Sequence, residues 1–81
     1  MNLYLLSQGT NSGYDTYDSC VVAAETPEDA VMITPNATEF KDMKRPWGSW
    51  CFDVQDVQCS LIGVAVEGTE RGVVIASFNA G

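Results

Sequence analysis

Four apolar runs of strand length, each fenced by turn residues, set what this chain can fold into. They cover residues 2–8, 17–24, 57–66 and 73–78 of an 81-residue sequence. Runs this short, rich in Val, Ile, Leu and Tyr, read as strands and are too short for a helical bundle. In the first run Leu3 and Leu5 fall on one face and Tyr4 and Leu6 on the other, so both faces call for cover. The loop Gly9-Thr10-Asn11-Ser12-Gly13 is short enough to join the first two runs as an antiparallel hairpin. In the third run, Val57, Cys59, Leu61, Gly63 and Ala65 are expected to share one face, and Ser60, Ile62, Val64 and Val66 the other. Residues 67–72 read as a hairpin loop into the last run. That run is nearly all apolar, which predicts a central strand pairing with the first.

One helix signature interrupts the strands. Thr26 suits the N-cap, Pro27 the first helical position, and Glu28 and Asp29 the positive end of the dipole. Asp29 stands at the third position of a capping box. Ala30, Val31 and Ile33 supply an apolar side, and Thr34-Pro35 stops the helix after about two turns. Residues 36–50 are expected to form a loop, with a short strand at 49–52 and a turn or single helical turn at 53–56. The sum is one α+β domain over 1–81: an antiparallel sheet of four to five strands with one short helix on one face.

Composition removes several functions. The chain has no His, the side chain best suited to acid–base chemistry near neutral pH. Cys20 has no basic neighbour to activate it, and Asp18 beside it disfavours a thiolate. There is no phosphate-binding glycine loop. We therefore expect no enzyme and no cofactor. Cys20, Cys51 and Cys59 form no Cys-x-x-Cys pair, and an odd count without an export signal indicates free thiols, although a Cys51–Cys59 bridge stays open. Asp15, Asp18, Glu25, Glu28 and Asp29 are hard oxygen donors, but their spacing fits no EF-hand loop, so a solvated acidic face is expected and no metal. The N-terminus lacks the basic and long apolar stretches of a signal peptide, and no run reaches the roughly 20 residues a bilayer crossing needs. The expectation is a soluble cytosolic protein without a membrane partner.

Charge is the feature that points to a partner. Eleven acids against four bases give −7, an excess that costs a small compact fold self-repulsion. Residues 1–30 hold five acids and no base, while Lys41, Lys44 and Arg45 hold three of the four positive charges. A Tyr-Asp pair occurs twice in Gly13-Tyr14-Asp15-Thr16-Tyr17-Asp18. A second acidic patch is expected if Asp53 and Asp56 meet Glu67 and Glu70 at one edge. Alternate strand residues stand about 6.5–7 Å apart, comparable to backbone phosphates, so such rows can imitate nucleic acid in a basic groove. Tyr14, Tyr17 and Trp50 would add stacking or Arg contacts. Direct nucleic-acid binding is disfavoured, because two anions repel. Trp47 and Trp50 offer a different route, as aromatic anchors of an ordinary interface, against the simpler reading that they fill the core.

The segments NLYLLSQ (2–8), GYDTYDSCVVAAE (13–25) and GVVIASFNAG (72–81) together resemble a family of small accessory proteins of tailed bacteriophages and prophages. The resemblance covers 30 of the 81 residues, and the middle, 34–56, departs from it. It implies action in the cytoplasm of a bacterial host. Phage accessory genes commonly encode small acidic proteins that disarm host machinery, and among these several anti-CRISPR proteins act as DNA mimics. The implied partner is the basic nucleic-acid-binding groove of a host complex, with a type I surveillance complex first because its DNA channel is large and basic. The charge map, not the family, offers Asp15, Asp18, Glu25, Glu28, Asp29, Asp53, Asp56, Glu67 and Glu70 as contacts. The alternative is a phage accessory or virion-associated interaction module without mimicry. A monomer or a small homo-oligomer fits either.

Overall fold

A computed structural model describes residues 1–36, 39–40, 49–51 and 53–79. The described elements are β1 (Asn2–Ser7), β2 (Thr16–Ala24), the single-turn helix α1 (Pro27–Ala30), a 3₁₀ turn (Val54–Asp56), β3 (Gln58–Val64) and β4 (Gly72–Asn79). The strands form one antiparallel sheet in the order β3-β1-β2-β4. The sheet has four strands among the described residues, within the expected four to five, but with a single helical turn and one 3₁₀ turn the fold is small and mostly β, not clearly α+β.

Register explains which face is covered. Tyr4 lies opposite Val22 and Leu6 opposite Cys20. With Ala24 these residues are buried against Ala30, Ile33, Trp50 and Cys51. Helix α1 and the segments around Ile33 and Trp50 thus roof one face of the sheet. Cys59, Val73 and Ala76 extend that face onto the outer strands. The other face carries Leu3, Leu5 and Ser7 of β1 and Ser19, Val21 and Ala23 of β2, and no element of the described chain forms a second roof over its centre, where Leu5 and Ile75 are exposed.

Several expectations change. The last apolar run, expected in the centre and paired with the first, is an edge strand that pairs with β2. Its apolar composition reflects an open face, not double burial: Val73 and Ala76 turn to the core, while Val74, Ile75 and Phe78 are exposed. Residues 67–72 are no hairpin loop either. Since β3 and β4 occupy opposite edges, 65–71 crosses the ends of β1 and β2, a span of about 14 Å at the usual strand spacing. Seven extended residues reach about 23 Å, so the crossing is comfortable. Gly68, at φ 91°, supplies the left-handed turn within it.

The expected two-face division of the third run fails at Ile62. A bulge there sets Leu61 opposite Tyr4 but Gly63 opposite Leu3, so the alternation slips by one. The helix is one turn long, not two. Thr26 caps it as expected, its hydroxyl accepting from Asp29 N at 3.1 Å. Beyond Ala30 the chain turns so that Ile33 and Thr34 enter the core, and Ile33 bridges to Glu39. Tertiary burial overrides the apolar helical pattern here. No strand forms at 49–51; Phe52, Lys41, Lys44, Arg45 and Trp47 lie outside the described residues.

Candidate functional site: an anionic end of the sheet

The hairpin joining β1 to β2 is organised by one side chain. Gln8 is 8% exposed. Its Nε2 donates to Asn11 O at 2.8 Å and Tyr17 O at 2.7 Å, and its Oε1 accepts from Thr10 N at 3.0 Å and Asn11 N at 2.9 Å. Asn11 in turn donates to Trp50 O at 2.8 Å, tying the loop to the buried tryptophan. Beyond the loop, Thr16 Oγ1 donates to Gly13 O at 2.7 Å and Asp15 N to Asn79 O at 2.7 Å. These bonds hold Asp15 in the left-handed region at φ 59°, which Asp tolerates better than most residues. Asp18 follows at a bulge in β2, between Tyr17 and Ser19. Both Asp15 and Asp18 are exposed.

Asp53 and Asp56 reach the same end of the sheet by another path. Cys51 is fully buried, and its Sγ lies 3.4 Å from Asp53 O. Asp53 caps the 3₁₀ turn, its Oδ1 accepting from Gln55 N at 3.0 Å. The turn delivers the chain to Gln58, which stands opposite Ser7. Asp15, Asp18, Asp53 and Asp56 therefore gather at the end of the sheet marked by Ser7, Thr16, Gln58 and Asn79, with Tyr14 beside them at 77% exposure.

Glu67 and Glu70 sit at the opposite end, while Glu28 on α1 lies near enough to Cys59 to help raise its thiol. Glu25, Glu28 and Asp29 follow β2, and Glu67 and Glu70 lie in the β3–β4 crossing. The six intervals of β3 put about 20 Å between Asp53 and Asp56 before it and Glu67 and Glu70 after it, so their expected joint patch does not form. Among the described residues, no group of three His, Cys, Asp or Glu side chains is placed to hold a metal ion.

The two ends differ in neutralisation. Asp29 accepts from Arg71 Nε at 2.8 Å and Nη2 at 2.9 Å, and Arg71 also pairs with Glu39. Arg71 holds the Asp29 carboxyl below its usual range. The helical capping box is thus only half made, since the Asp29 carboxylate goes to Arg71. Glu25 lies 4.0 Å from the terminal amine. At the Asp15 end, by contrast, no ion pair forms among the described residues.

Of the aromatics offered as contacts, Trp50 is 1% exposed and belongs to the core. It cannot anchor a partner without unfolding. Tyr17 is half-buried against Phe78, with ring centroids 4.8 Å apart, which leaves Tyr14 as the accessible ring. The three cysteines are free. Burial pushes Cys20 and Cys51 up to about 11, opposite to what a nucleophile needs. Sequence reasoning missed Gln8, whose only signal is its place before the turn-forming Gly9-Thr10-Asn11. No protein-family model matches the chain, and no curated protein or solved structure shows significant similarity to it. Among the described residues, no helix is long and apolar enough to cross a membrane.

Proposed function

We propose that this chain is a phage-encoded, non-catalytic inhibitor of the anti-CRISPR kind, which presents carboxylates as a DNA mimic to the basic groove of a host surveillance complex, a type I complex first. The observation that carries the reading is the gathering of Asp15, Asp18, Asp53 and Asp56 at one end of the sheet, on turns fixed by backbone hydrogen bonds. Fixed carboxylates lose little freedom when a cationic groove receives them. Seven of the nine candidate acids are exposed, so they can reach a partner without refolding. The charge of −7 favours fast encounter with a basic channel, and the resemblance to phage accessory proteins supplies the setting.

Plaque formation on hosts armed with different CRISPR types, with and without this gene, tests the reading. Infection should be rescued on type I hosts and lost again when Asp15, Asp18, Asp53 and Asp56 are all changed to Asn. Rescue that survives the quadruple change, or no rescue on any host, refutes it. The uncharged apolar face of the sheet favours a second reading, a phage accessory or virion-associated interaction module. Affinity through that face would hardly change with salt, whereas a mimic's would fall steeply.

A further inference from the structure

Among the described residues that strand register assigns to the face of the sheet opposite the core, none is charged. Register places Leu3, Leu5 and Ser7, Ser19, Val21 and Ala23, Gln58 and Ser60, and Ile75 and Ser77 on it. At its centre Leu5, Val21 and Ile75 line up across three strands and, with Ser19 and Ser77, border a shallow depression of about 170 Å³. Ile75 is 66% exposed and Leu5 37%. On a chain of −7, a neutral face this apolar is the surface where two copies can approach without driving carboxylates together.

We propose that a second copy of this chain packs on that face, sheet against sheet about a two-fold axis, with Leu5, Val21 and Ile75 at the centre of the contact. Isologous packing suits a patch that is apolar in the middle and polar at its serine-bearing rim. The area sets the strength. Four strands at about 4.8 Å spacing and about 20 Å length give roughly 400 Å² of flat face per copy, or about 800 Å² for the pair, which is below the size of a standard specific interface and in the range of weak, transient association. The dimer is therefore reversible, not obligate. The sheet edges are poorer candidates: β3 and β4 are also uncharged, but the bulges at Ile62 and Val74 break the flush ladder that edge pairing needs. The dimer is independent of the partner reading, and the acidic ends stay free in it.

Sedimentation equilibrium of the full chain tests this over about 10–500 µM protein and about 50–500 mM salt. The average mass should climb from 8.8 kDa toward twice that value, and salt should promote the climb, because it screens repulsion between copies and leaves apolar burial intact. Ile75→Glu should hold the chain monomeric throughout with an unchanged circular dichroism spectrum, the site being exposed already. Val64→Glu, on the β3 edge, should dimerise as the wild type does. Ile75→Thr gives a milder version, with at least a threefold weaker dimer. A wild-type chain that stays monomeric over the whole range overturns the proposal, and so does a dimer lost with Val64→Glu but kept with Ile75→Glu.

Discussion

Changing Gln8 to Ala tests how the anionic end is held. The side chain makes four hydrogen bonds of 3.0 Å or less, all to backbone groups of Thr10, Asn11 and Tyr17. Each such bond contributes about 0.5–1.5 kcal/mol net, and the part of the loop near solvent recovers some of this from water. The expected loss is about 2–3 kcal/mol. An 81-residue domain has only about 4–12 kcal/mol in total, so the change is large, equivalent to a fall in Tm of roughly 10–20 °C. Urea unfolding should show a lower midpoint at unchanged slope. Gln8→Glu should be at least as damaging at neutral pH, because it sets a carboxylate against the carbonyl oxygens of Asn11 and Tyr17. A Gln8→Ala variant within about 0.5 kcal/mol of the wild type would refute the claim that this amide organises the hairpin.

Three further outcomes are expected. Arg71→Gln should cost about 0.5–1 kcal/mol at neutral pH, in keeping with an exposed ion-pair network. Because Arg71 lowers the Asp29 value on folding, that contribution is present above the unfolded carboxyl value of about 4 and disappears as pH falls through the folded one; Tm curves of the two proteins should therefore converge in acid, and a gap that persists there contradicts the pairing. Asp15→Gly should leave stability equal or slightly raised, while Asp15→Val should lower it by about 1–2 kcal/mol, and equal melting of the two would show that φ 59° carries no strain. Cys20 and Cys51, both pushed up to about 11, should react with a thiol reagent at pH 8 at about a hundredth of the rate of a free cysteine or less, and mass spectrometry showing either labelled first, ahead of half-buried Cys59, would count against their burial.

Local chemistry in this chain was legible where a residue acts on its neighbours. The Thr26 cap, Pro27 at the helix start and the β1–β2 hairpin all follow from short-range rules. Long-range pairing was not. The apolar run 73–78 reads as a buried central strand, yet it lies at an edge, with Val74, Ile75 and Phe78 exposed. An apolar residue facing solvent and one facing a core look identical in sequence. The order β3-β1-β2-β4 also depends on which partner β1 takes on each side, and nothing local to residues 65–71 states that they cross the sheet. The acids were all legible as acids, but that Asp15 and Asp18 share an end of the sheet with Asp53 and Asp56 follows from β1 pairing antiparallel with both β2 and β3. Trp50 could be placed only by the fold, which buries it behind the Gln8 loop.

The claim that the Asp15, Asp18, Asp53 and Asp56 end occupies a nucleic-acid groove is tested most directly by displacement of labelled target DNA from a purified type I surveillance complex. Titration with the wild-type chain should release the DNA, with a potency that falls steeply between about 50 and 300 mM salt, and the four-Asn variant should release none at either. Equal displacement by that variant, or a potency indifferent to salt, would contradict the account.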